Sequence, residues 1–199
     1  MKLSRVRPAK KHVILFLSAN PQDTGRLALD REARSIHLEL KHSGHRDRFD
    51  FMTRWAVEPL DLLRELRELK PTVVHFSGHG GGSLAGSADA AQGRDVVAPA
   101  HGETPSGLYF HGATGGAQVV LPEALGQAFG SVDAGVRLVV LSACFTAPVA
   151  EALLAHVDCV AGMNGAIHDA AARSFAIGFY GGLGEHESIA AACLDRVCF

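Results

Sequence analysis

No stretch of these 199 residues is apolar for long enough to cross a membrane or to form the core of a secretion signal. The apolar run nearest the start, residues 13–17, is far too short for either, and it follows a basic cluster of Lys2, Arg5, Arg7, Lys10 and Lys11. Charge of one sign is lacking too. The 19 basic and 21 acidic residues nearly cancel, to a net −2, and beyond that cluster they are interspersed. No field therefore draws in nucleic acid or an anionic membrane, and neither is expected as a direct partner. Cysteine is sparse: four residues without a secretory signal argue for reduced thiols rather than a disulfide framework, so a cytoplasmic protein is expected. Three motifs are missing as well. His79-Gly80-Gly81-Gly82 matches the oxyanion motif of some esterases, but no Gly-x-Ser-x-Gly nucleophile turn accompanies it. No Gly-Lys-Ser/Thr ending follows the glycine-rich stretch, which removes a phosphate loop. A metal site built on His75, His79 and Cys144 has no fourth ligand at recognisable spacing.

What remains is 47% hydrophobic and long enough for one well-filled core, so a single domain over residues 1–199 is expected, with 1–11 as a flexible leading segment. Short apolar runs alternate with helical patterns and no internal repeat interrupts them, the signature of a doubly wound α/β fold. Strands are expected at 13–18, 49–56, 72–77, 137–142 and 158–163. Leu29, Ala33, Ile36 and Leu40 form one helical stripe, and Leu60, Leu63, Leu66 and Leu69 suggest another. Pro59 and Pro122 suit the first turns of helices. Further helices are expected at 148–156, 169–183 and 188–197. Residues 80–107, rich in Gly, Ala and Ser, are expected to form a mobile loop, followed by a hairpin of 108–111 and 118–121.

Two strand ends carry the chemistry. Val73-Val74-His75-Phe76-Ser77-Gly78 runs into His79-Gly80, and Leu138-Val139-Val140-Leu141-Ser142 runs into Ala143-Cys144. Both side chains would stand at the carboxyl edge of a parallel sheet, where ligands and reactive groups collect. A thiolate nucleophile with an imidazole base is the natural reading of such a pair. The backbone N–H groups of Gly80 and Cys144 are candidates for an oxyanion site. His75, inside its apolar run, is expected to be a hydrogen-bonded core histidine, and Cys159 a core residue. His42, His45, His101 and His186 stand in polar surroundings and are read as solvated surface.

The pattern of apolar strand, Ser77-Gly78-His79-Gly80, variable loop, second apolar strand and Ser142-Ala143-Cys144-Phe145-Thr146 resembles the caspase-like cysteine peptidases of clan CD, and within them the bacterial CHAT branch. Asn20-Pro21 with Asp23, Arg26, Leu29 and Asp30, then Arg54-Trp55-Ala56-Val57 and the segment 167–180 extend the likeness over nearly the whole chain. CHAT proteins often have Asn where this chain has Ser142. The resemblance implies a three-layer, mostly parallel sheet with helices on both faces and a small β-hairpin insertion. It implies a cysteine endopeptidase with Cys144 as nucleophile and His79 as general base and acid, and neither metal nor organic cofactor. The loop after the first strand would then read the residue before the cut. Arg26 would suit an acidic side chain and Asp30 or Asp23 a basic one, while a surface charge or a first-turn helix acid is the plainer role for each. A protein or peptide substrate, an activating sensor module or partner, and a place in bacterial antiviral defence or cell suicide are implied likewise. Self-cleavage of the 80–107 loop, at Arg94-Asp95 for example, is a further possibility of that reading. An idle scaffold that mediates protein interactions is the competing expectation.

Overall fold

The computed structural model describes residues 11–81 and 106–185. Most of the expected leading segment, most of the 80–107 loop with Arg94-Asp95, and the expected last helix with Cys193 and Cys198 lie outside the described residues.

Five parallel strands form the central sheet: β1 (His12–Ala19), β2 (Phe49–Trp55), β3 (Val73–Gly78), β7 (Leu138–Ser142) and β8 (Cys159–Ala161), in the order β2-β1-β3-β7-β8. Every residue of β3 and of β7 is buried, as their unbroken apolar sequences require of strands covered on both faces. Helices α2 (Pro59–Leu69), α3 (Pro122–Gly130) and α4 (Ala147–Leu154) contribute Leu66, Leu125 and Leu153 to the core on one face. On the other, α1 (Leu29–His42) packs against α5 (Asp169–Gly184), burying Ile36 and Phe179 over Ile14 and Val140. The result is an α/β fold of three layers, as the sequence pattern predicts.

A three-stranded antiparallel sheet is appended, β4 (Gly80–Gly81), β5 (Gly107–His111) and β6 (Ala117–Val120). The expected hairpin is its β5–β6 portion. Gly80 and Gly81, expected in the loop, instead pair with Leu108 and Gly107, because β5 offers backbone partners that composition cannot reveal. The small sheet is tied to the large one by His111 N–H donating to the Val57 carbonyl at 2.9 Å and by Asn20 N–H donating to His111 Nε2 at 3.1 Å.

Two expectations shift in phase. In α2 the buried residues are Leu62 and Leu66, whereas Leu60 is 59% exposed. A spacing of three lags the 3.6-residue turn by about 60° per step, so Leu60 and Leu69 cannot share a face. The strand β8 is shorter than expected because Thr146 takes the Met163 backbone: Met163 N–H donates to Thr146 Oγ1 at 2.8 Å, and Thr146 N–H donates to the Met163 carbonyl at 2.8 Å. Cys159 is half-buried against the α1–α5 side of the core.

Candidate active site

The strands β3 and β7 are neighbours in parallel register, with Ser77 opposite Ser142 on the last shared rung. Two positions further along each strand stand His79 and Cys144, which therefore leave the sheet at the same edge. Both line one small pocket, about 40 Å³ in volume, whose walls include Leu27, Leu29 and Ile167. The thiol is half-buried rather than sealed in the core.

Local backbone geometry brings the two segments into contact. A Cβ on residue 80 would lie 2.2 Å from the Cys144 carbonyl oxygen, so only glycine lets the chain after His79 pass this close. Tyr109 N–H donates to the His79 carbonyl at 3.0 Å, which makes the adjoining Gly80–Leu108 pair a non-hydrogen-bonded one. The Gly80 N–H is thereby turned away from β5. After the cysteine, Phe145 adopts a left-handed φ of 52°, a costly conformation for a bulky residue. The turn is held by Phe145 N–H donating to the Gly165 carbonyl at 3.2 Å and by the Thr146–Met163 pair.

Each reactive side chain has a fixed partner. The His79 Nε2 lies 2.6 Å from the Gly25 carbonyl oxygen, and a carbonyl can only accept. The hydrogen therefore sits on Nε2, which leaves Nδ1 as the basic nitrogen of the neutral ring. The Cys144 sulfur accepts from Ile167 N–H at 3.4 Å and lies 3.9 Å from the Ile167 carbonyl. Residues 163–167, which follow β8, thus cradle both the sulfur and the turn that carries it.

A family model of the CHAT domain matches residues 2–197. The chain belongs to the CHAT domain family. This is a caspase-like, peptidase-type domain, in line with the fold and with the resemblance carried by the His79 and Cys144 motifs. No curated protein matches the sequence.

Within this CHAT domain the charged candidates of the loop after β1 do not line the pocket. Arg26 is exposed, as is Asp30. Asp30 follows Leu29, whose side chain is buried, and one residue along a helix turns the next side chain about 100° away. Asp23 is committed to the hairpin: its carboxylate accepts from Ala117 N–H at 2.8 and 3.1 Å. The residues from this loop region that do line the pocket are the apolar Leu27 and Leu29.

The same pocket of the CHAT domain is lined by a polar cluster centred on Glu32 of α1, only 2% exposed, with Ser77 and Ser142 beside it. Ser77 Oγ donates to Glu32 Oε2 at 2.5 Å, and the Ser142 side chain bears on the same carboxylate. The imidazole of His75 places Nε2 3.2 Å from Glu32 Oε1, a close approach without hydrogen-bond alignment, and Nδ1 3.1 Å from the Tyr180 hydroxyl. Burial acts to raise the Glu32 pKa, but His75, Ser77 and Ser142 together outweigh it and hold the carboxyl below its ordinary value. Burial pushes the Tyr180 phenol up, with the Glu32 charge adding to the effect. His75 is thus the hydrogen-bonded core histidine expected of it. Glu32 escaped the sequence reading, although a carboxylate set among Leu29, Ala33 and Ile36 on an apolar helical stripe is a visible signal. Gly25 and Ile167 act through backbone atoms, which sequence does not mark. Among the described residues no group of three His, Cys, Asp or Glu side chains is placed to hold a metal ion.

Proposed function

We propose that this CHAT domain is a cysteine endopeptidase acting through Cys144 and His79. The observation that carries the reading is the opening of both side chains onto one pocket from register-paired strands, with the imidazole tautomer set by the Gly25 carbonyl. In the reaction, His79 Nδ1 takes the thiol proton as the Cys144 sulfur attacks the scissile carbonyl carbon. The resulting oxyanion is met by the N–H groups of Gly80 and Cys144. The imidazolium returns its proton to the departing amine as the C–N bond breaks, leaving an acyl thioester. Water, deprotonated by His79, attacks that thioester and releases the acid and the free thiol. No step calls for a metal or organic cofactor.

The substrate is a protein or peptide. With Leu27 and Leu29 lining the pocket, Arg26 and Asp30 would meet the substrate chain only outside it. The family likeness supports an effector role in bacterial defence or cell death, switched on by a sensor module or partner. Among the described residues, no helix is long and apolar enough to cross a membrane.

The test is a peptide electrophile library varied at the residue before the cut. Covalent modification should fall on Cys144 and disappear in Cys144→Ala and in His79→Ala, and the preferred side chain would identify which loop residue reads the substrate. Cys144 modification that is indifferent to His79→Ala would overturn the dyad, and equal behaviour of wild type and Cys144→Ala in every functional assay would favour the idle scaffold.

A further inference from the structure

We propose that the pocket beside Cys144 and His79 admits a basic side chain from the residue before the cut, read by Glu32 at its base and by Asp169 nearer its mouth. The inference rests on the peptidase reading and names the substrate class for that same site.

The scissile carbonyl carbon must reach the Cys144 sulfur, and the side chain of the residue that owns it branches from the adjoining α-carbon. That side chain is therefore the first to meet whatever opens beside the thiol. The pocket there carries two carboxylates, Glu32 and Asp169, and neither lysine nor arginine among its described lining residues. Glu32 is 2% exposed, whereas Asp169, in the first turn of α5, is half-buried, so one forms the base and the other stands nearer solvent. Part-exposed Leu27 and Ile167 give the methylene stem of a long side chain an apolar surface to lie against.

An acidic lining alone would say little, but Glu32 is also short of a partner. Ser77 Oγ donates to Oε2, whereas Oε1 is buried and receives no hydrogen bond, the His75 Nε2 standing 3.2 Å off and out of alignment. Burial opposes ionisation of this carboxyl, but His75, Ser77 and Ser142 outweigh it and keep it an anion at neutral pH. A buried anionic oxygen with no donor is a costly exception in a folded protein. An ammonium or guanidinium brings N–H donors and the opposite charge together. The pocket's volume of about 40 Å³ is room for a few water-sized groups, the scale of such a head group rather than of a whole side chain. An acidic side chain would meet two like charges, and an uncharged one would leave Oε1 without a donor. The preference is thus set from α1 and α5 inside the pocket, and not by the exposed Arg26 or Asp30.

The test uses tripeptide acyloxymethyl ketones that differ only in the residue before the ketone. They form two isosteric pairs, lysine against norleucine and arginine against citrulline, with glutamate as the acidic probe. Modification of Cys144 in the full chain is followed by mass spectrometry at neutral pH. In wild type, at least one basic probe should react roughly tenfold or more faster than its neutral partner, and faster than glutamate. The ratio within a pair is taken on each protein separately, so a general loss of folding or reactivity cancels. Glu32→Gln, which removes the charge but keeps the shape, should bring that ratio down roughly tenfold. Asp169→Asn, outside the buried cluster, should lower it about threefold and remains readable if Glu32→Gln fails to fold. Ratios near one in wild type, a glutamate probe faster than the basic ones, or a wild-type ratio persisting in either variant would overturn the inference. The peptidase reading would survive that result as long as Cys144 modification is lost in His79→Ala. Modification indifferent to His79→Ala would remove both.

Discussion

At the scale of single residues, the site depends on atoms that a sequence names only indirectly. Gly80 is the sharpest case. Its α-carbon is pressed against the Cys144 carbonyl, so Gly80→Ala must push two backbones apart, neither of which can rotate out of the way. Overpacking of this kind costs about 1–3 kcal/mol, read as a lower urea midpoint at unchanged slope. Because the displaced backbones carry the two proposed oxyanion donors, turnover of a cleaved peptide should fall further than the stability loss explains. A variant with wild-type turnover would place those donors elsewhere. Glu32 is the opposite case, legible in principle because a carboxylate interrupts an apolar stripe. What it pairs with was not legible, since Ser77 and Ser142 are brought to it by long-range strand pairing.

At the scale of elements, apolar runs located all five strands of the main sheet, and the stripe on α1 located its buried face. The misreadings have local causes. The end of β8 is cut off by the Thr146 hydroxyl, and Gly80–Gly81 becomes a strand only because β5 lies alongside. The loop after β1, expected to read substrate charge, is clipped to the β5–β6 hairpin through Asp23 and through Gln22 N–H to the Gly115 carbonyl at 3.1 Å. Two residues beyond Asp23 is Gly25, whose carbonyl holds His79. Asp23→Ala should therefore act in two places. Loss of the charge-assisted bonds at a solvent-exposed site should cost about 1 kcal/mol, a fall of roughly 2–4 °C in Tm. The loosened loop should also slow peptide cleavage, and Asp23→Asn, which keeps one acceptor, should fall between. A Tm loss with unchanged cleavage would detach the loop from the proposed role of His79.

At the scale of the whole molecule, stability inherits the titration of the Glu32 cluster. The folded carboxyl titrates below its ordinary value of 4.5, so the unfolded chain binds its proton more readily than the folded one. The carboxylate contributes its full share above that ordinary value and loses it as pH falls through the lower folded value. Denaturant titrations across this acid range should show wild-type stability dropping and Glu32→Gln dropping less. Parallel curves would mean that other carboxyls dominate acid unfolding.

The order of strands in the sheet also governs when the molecule becomes reactive. Every neighbour contact in the main sheet is parallel, so each joins segments far apart along the chain, a topology that folds slowly. The imidazole arrives with one central strand and the thiol with the next, some sixty residues later in synthesis. A chain still emerging from the ribosome therefore holds the imidazole before it has the thiol, and one caught partway through refolding holds both without their shared pocket. The proposed dyad is in this way unassembled until the second of its two strands has docked.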